Sequence, residues 1–190
     1  MAQKIKGEKS KEHLVECSAR LFLKNGYNAT GINQILSEAG MTKGSFYFYF
    51  TSKKELAIEV AKYYNNKILN WIFDASVGRK WEAFAAEVTN ILIGRAANKE
   101  IFGCPIAVLG METAFMEPDV TTTYYNSLLN LRNLFKDVIE RTGYSGQDAE
   151  LLADRAFALY EGYLLLYRVS KDARDLEKLS RDLKEIVPEL

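Results

Sequence analysis

The sequence predicts an all-α protein. Apolar residues recur at three- and four-residue spacing through most of the 190 residues, and no stretch alternates as a half-buried strand would. Only three prolines occur, and Pro105 and Pro118 fall where a helix can start, because the first turn does not need the missing N–H.

In chain order, residues 1–8 read as a basic arm. A first helix over 9–25 places Leu14, Cys17, Ser18, Leu21 and Phe22 along one side, and Gly26 stops it. Ile32, Ile35 and Leu36 give a short second helix one apolar face. Ala39-Gly40-Met41 ends it, since Gly40 can take the positive φ of a tight turn. Thr42 can cap a third helix, TKGSFYFYF, by accepting from an orphan amide of its first turn. Ser52 and Glu55 have capping-box spacing and open a long helix over about 52–73, with Leu56, Val60, Tyr63, Tyr64 and Ile68. After a loop at 77–79, a periodic helix covers 81–97. Further helices are expected over 104–115, 118–143, 147–170 and 176–187.

Two short helices joined by a tight turn form a helix-turn-helix, whose second helix enters the major groove of DNA. The residues of TKGSFYFYF suit that task. Gly44 lets a phosphate or base edge approach the backbone. Thr42, Lys43 and Ser45 place small donors and one cation at the helix start, where free amides favour an anion. Phe46 and Phe50, four apart, share a face and anchor the helix. Tyr47 and Tyr49 point elsewhere with phenolic hydroxyls that reach phosphates, and Lys53 and Lys54 open the next helix. An αα-hairpin with an aromatic core is the plainer alternative. It leaves unexplained the glycine and hydroxyl residues inside so short a helix.

The net charge is zero, but it is unevenly placed. Residues 1–55 carry nine Lys/Arg against five Asp/Glu, a net +4; residues 56–190 carry sixteen against twenty, a net −4. A basic N-terminal unit on an acidic body is the asymmetry expected if one end meets DNA. Residues 1–12 are too polar for a signal peptide, no apolar run reaches a membrane span, and two cysteines without secretory context suit a reducing cytoplasm. His13 is the one histidine, so no metal-ligand cluster is expected, and no nucleophile–base pair or phosphate loop suggests an enzyme or a cofactor.

Residues 10 to about 60 resemble the DNA-binding domain of the tetracycline-repressor (TetR) family of bacterial regulators. The family's Gly-Tyr/Phe corner is matched by Lys24-Asn25-Gly26-Tyr27, and its next segment by Thr30, Ile32 and Ile35. Its recognition segment is filled in order by Met41, Thr42, Lys43, Gly44, Ser45, Phe46, Tyr47, Tyr49, Phe50, Ser52, Lys53 and Leu56. Tyr49 departs from the pattern, since many relatives carry His there. The resemblance implies three N-terminal helices for DNA, here residues 1–55, followed by a helical ligand-binding and dimerisation domain, here 56–190. It implies a DNA-binding transcriptional regulator, a repressor that a small, largely apolar ligand releases from its operator. Expected DNA-binding residues are Thr30, Thr42, Lys43, Gly44, Ser45, Tyr47, Tyr49 and Lys53.

Residues 56–190 hold sixteen of the twenty-three aromatic residues. Candidate ligand-binding residues are Trp71, Trp81, Phe84, Met111, Phe115, Tyr124, Tyr160 and Tyr163, with core packing as the plain alternative for each. Glu112 and Glu161 are the polar candidates, because each carboxylate sits in an apolar helix and needs a partner. Phe102-Gly103-Cys104-Pro105, then Leu109 and Glu112, resembles a segment of multidrug-type members. The run AFALYEGYLLLY, residues 156–167, is apolar nearly all round, so one face suits the core and the other a second subunit. Phe157, Leu164 and Leu165 are the expected interface residues. The expected partners are thus a pseudo-palindromic operator, a small-molecule effector and a second copy of the chain, with no membrane. Two other readings stay open: Cys104 as an oxidant- or electrophile-sensing thiol at a helix start, and a helical interaction module without an effector.

Overall fold

The computed structural model describes residues 2–188, which contain nine helices and no strand. These are α1 (Ala2–Asn25), α2 (Ile32–Ala39), α3 (Lys43–Tyr49), α4 (Lys53–Ser76), α5 (Trp81–Ala97), α6 (Pro105–Thr113), α7 (Pro118–Thr142), α8 (Gly146–Ser170) and α9 (Arg174–Glu185). The expected arm over residues 1–8 is corrected from its second residue onward. The chain is helical from Ala2, because Gln, Lys and Glu are good helix formers that need no apolar stripe. Met1 lies outside the described residues.

The chain divides into two compact units. One holds the residues up to Lys67 together with Pro105–Ser127; the other holds Ile68–Cys104 and the residues from Leu128 on. The first unit is built around Leu14, Cys17 and Phe22 of α1, Ile35 of α2, Phe46 of α3, and Leu56 and Val60 of α4, all buried. Gly40 takes a left-handed φ of 62° and lets the Met41 N–H donate to Leu36 O at 2.9 Å, which closes α2. Thr42 caps α3 through Ser45 N at 3.2 Å. Ser52 likewise accepts from Glu55 N at 3.2 Å, while the Glu55 carboxylate reaches back to Thr51 N at 2.7 Å, one residue earlier than a strict capping box. The Tyr64 hydroxyl donates to Ala19 O at 2.9 Å and joins α4 to α1.

The same unit contains an acidic clasp from α6 and α7. Glu112 Oε1 accepts from the Asn28 N–H at 3.0 Å, the Tyr27 hydroxyl donates to Glu117 at 3.2 Å, and Lys54 pairs with Asp119. Burial, and then Glu117, push the Tyr27 phenol up to about 12. Gly26 has φ 94°, and a Cβ there would lie 2.7 Å from Glu112 Oε1, so glycine serves both the turn and the close approach.

The second unit has an aromatic core. Phe135 of α7 meets Trp81 and Phe84 of α5 and Phe157 and Tyr160 of α8, with ring centroids 5.4–6.1 Å apart. Trp81 Nε1 donates to Leu183 O at 2.7 Å and ties α5 to α9. Leu176, Leu179 and Leu183 bury one side of α9; Arg174, Glu177, Lys178, Arg181 and Glu185 occupy the other. Arg132 of α7 pairs with Glu150 and Asp154 of α8.

Candidate functional site

The third helix presents two opposed faces. Phe46 and Phe50 are fully buried, so the positions between them turn outward at about 100° per residue. Thr42, Lys43 and Gly44 are exposed, Tyr47 is 57% exposed, and Ser45 and Tyr49 are half-buried. A Cβ on Gly7 would lie 3.8 Å from the Tyr49 hydroxyl, which places that phenol beside α1. No acidic residue stands in the first turn of α3. Phe48, absent from the expected set, is 80% exposed. Its position two residues from each buried phenylalanine was the signal that could have marked it.

Two expected contacts are revised. Thr30 is buried, and its hydroxyl donates to Gly26 O at 2.7 Å, so it stabilises the corner after α1 and offers nothing to DNA. The Lys53 ammonium donates to Tyr27 O at 3.1 Å and Thr30 O at 3.3 Å and lies 4.4 Å from the Tyr27 ring centre. A phosphate contact would require it to leave all three.

The ligand-site candidates divide between the units. Met111, Glu112, Phe115 and Tyr124 belong to the first; Trp71, Trp81, Phe84, Tyr160 and Tyr163 belong to the second. Trp81, Phe84, Tyr124 and Tyr160 are at most 2% exposed, so their rings are engaged in core packing and leave no surface for a ligand. Phe115, at 98%, and Met111 stand on open surface. Glu112 is held by Asn28. The Tyr163 hydroxyl donates to Asp182, and the Arg95 guanidinium lies 4.7 Å from the Trp71 ring centre. Glu161 differs from these: its Oε1 is enclosed and has no hydrogen-bond partner. Burial pushes this carboxyl up to about 7, against a lowering by the Cys104 thiol.

On α8 the buried side runs through Ala149, Ala153, Ala156, Tyr160, Leu164 and Tyr167. Leu164 is therefore part of the chain's own core and is withdrawn from the expected interface set; Phe157 is half-buried against Phe135. Leu151, Ala158, Leu165, Leu166 and Val169 form an exposed apolar stripe instead. Among the described residues no group of His, Cys, Asp and Glu could hold a metal ion, and no helix is long and apolar enough to cross a membrane.

Residues 14–60 match the tetR family of bacterial regulatory proteins. Residues 81–182 match the C-terminal domain of LmrA/YxaF-like transcriptional regulators. The chain is 29% identical over 184 residues to the HTH-type regulator YxaF of Bacillus subtilis, covering 94% of this chain and 95% of that one. It is 26% identical over 181 residues to LmrA of the same organism, with 94% and 96% covered. The crystal structure of reduced Escherichia coli NemR superposes with a TM-score of 0.86 at 20% identity, covering 96% and 98% of the two chains. The matched family consists of regulators of transcription and not of enzymes. The exposed helix-turn-helix face and the matches over both halves of the chain lead to one conclusion: this protein belongs to the TetR family of DNA-binding transcriptional regulators, with an LmrA/YxaF-like C-terminal domain.

Proposed function

We propose that the chain is a cytoplasmic, dimeric repressor that binds a pseudo-palindromic operator and is released from it by a small, largely apolar effector. The observation that carries the operator reading is the face of α3: Phe46 and Phe50 hold the helix while Thr42, Lys43, Gly44 and Tyr47 are exposed on its other side. Lys43 is the side chain suited to a base edge, and Thr42, Ser45 and Tyr47 are suited to phosphates. Residues 1–55 are the DNA-binding part and 56–190 the effector and dimerisation part. The exposed stripe Leu151, Ala158, Leu165, Leu166 and Val169 supports dimerisation, because the 7-residue steps from Leu151 to Ala158 to Leu165 suit a helix packed on its two-fold mate. Two copies place two α3 helices on successive major grooves, about 34 Å apart. Repression follows the Escherichia coli relative NemR, named a transcriptional repressor, at 23% identity over 192 residues. An effector lowers operator affinity by stabilising the dimer geometry that no longer matches those grooves. Thiol sensing is the weaker reading, since Cys104 is buried and lies against the Glu161 carboxyl.

Fluorescence anisotropy with the DNA upstream of the chain's own gene tests the operator reading, and sedimentation at micromolar concentration tests the dimer. Nanomolar, salt-dependent binding by a dimer is expected. A monomer without sequence preference would overturn the proposal.

A further inference from the structure

Phe48 is the most exposed aromatic residue of α3, at 80%. At about 100° per residue it stands about 200° round the helix from the buried Phe46, so it projects away from the core. Tyr49 braces the ring: the two meet edge-on with centroids 5.0 Å apart, and a Cβ on Gly7 of α1 would lie 3.8 Å from the Tyr49 hydroxyl. Gly44 lies one turn earlier on the same side as Phe48, and a helical side chain leans toward the turn before its own. Among the described residues, a Cβ on Gly44 would meet only Thr42 Oγ1, at 3.8 Å. The ring therefore borders a stretch of helix where a base edge can come up to the backbone.

Folding does not account for a phenyl group here. A ring left in water contributes no burial, and a polar side chain would serve an exposed helix position as well. Nor does the ring suit a phosphate, because it carries no charge, donor or acceptor. Among the groups that the major groove presents, the one apolar feature is the C5-methyl of thymine. Cytosine offers an amino donor and no methyl, and a phenyl ring would bury that donor unpaired. We propose that Phe48 reads a thymine methyl in each half-site of the operator. This rests on the operator reading above and adds to it the chemistry of one base. Gly44 leaves room for the thymine edge, and Tyr49 holds the ring in place to receive it.

The test starts from the site that footprinting finds in the DNA upstream of the chain's own gene. Each thymine of that site is replaced in turn by deoxyuridine, which removes the methyl and keeps the base pair. Affinity for the intact protein is read by anisotropy. One symmetric pair of positions should lose about fourfold per half-site, the effect of one buried methyl, while the others change by less than about twofold. Phe48→Ala should bind the thymine and deoxyuridine forms of that pair alike, and Phe48→Leu should keep part of the discrimination. Both variants should melt as wild type does, since the ring lies outside the core. With 5-iododeoxyuridine at that pair, where iodine takes the place of the methyl, irradiation should crosslink wild type at Phe48, read by peptide mass spectrometry. This readout does not depend on a variant folding. If no thymine methyl matters, if the discrimination survives in Phe48→Ala, or if the crosslink falls on another residue, the methyl assignment falls and the operator reading stands. If footprinting finds no protected site, both fall.

Discussion

Replacing Glu161 by glutamine should flatten part of the pH dependence of stability. The carboxyl is raised in the folded chain from its ordinary 4.5 to about 7, chiefly by burial. A raised acid favours folding below its unfolded value, where both states are protonated. As pH rises from about 4.5 to 7, the unfolded chain ionises first and the folded state loses ground, and above 7 the loss is complete. At about 1.4 kcal/mol per unit, a shift of this size corresponds to about 3 kcal/mol. The glutamine amide cannot ionise, so the Glu161→Gln variant should equal or fall slightly below wild type at about pH 4.5, and exceed it by about 3 kcal/mol at about pH 8. Urea midpoints at fixed protein concentration, with wild type and variant compared at each pH, isolate this group from all others that titrate. A difference that stays constant across that range would refute the reasoning, because it would place Glu161 in a solvated or already ion-paired position.

Three further outcomes are expected. Lys43→Ala should weaken operator binding by about 1–3 kcal/mol and relax sequence preference at one base pair, read by anisotropy against single-substitution operators. Lys53→Ala should lower thermal stability by about 1–2 kcal/mol, through loss of its bonds to Tyr27 O and Thr30 O, while the salt slope of DNA binding stays unchanged; a slope reduced by about one would restore a phosphate role. Leu165→Glu, at a site 48% exposed in the single chain, should give folded monomers by sedimentation and abolish operator binding, whereas Leu164→Glu should unfold the chain.

Much of this fold was legible because its signals are local. Pro105, Pro118 and Trp81 begin the helices expected of them, Gly40 takes the positive φ, and Thr42 caps α3. The extension of α1 to Ala2 was not legible, since a stretch rich in Gln, Lys and Glu carries no apolar period. Burial was harder to read than helix type. In α8 the run Leu164-Leu165-Leu166 is uniformly apolar, and only the packing of Ala156 and Tyr160 decides that Leu164 turns inward while its neighbours face out. Thr30 and Lys53 look like DNA contacts because hydroxyl and ammonium groups serve carbonyls as readily as phosphates. Their partners, Gly26 O, Tyr27 O and Thr30 O, are set by a turn that no pattern of residue types specifies.

The acidic clasp has a consequence for portability. A chimera cut after residue 55 would keep Gly26, Tyr27, Asn28 and Lys54 but lose Glu112, Glu117 and Asp119. It would leave an unpaired N–H, an unpaired phenol and an unpaired ammonium on the very corner that orients α2 and α3. Such a graft should read DNA poorly even on a well-folded foreign body, and carrying residues 105–127 with it should restore affinity. On this reasoning the DNA-binding part at residues 1–55 leans on contacts from residues 105–127, and operator specificity should transplant best when both segments are carried together.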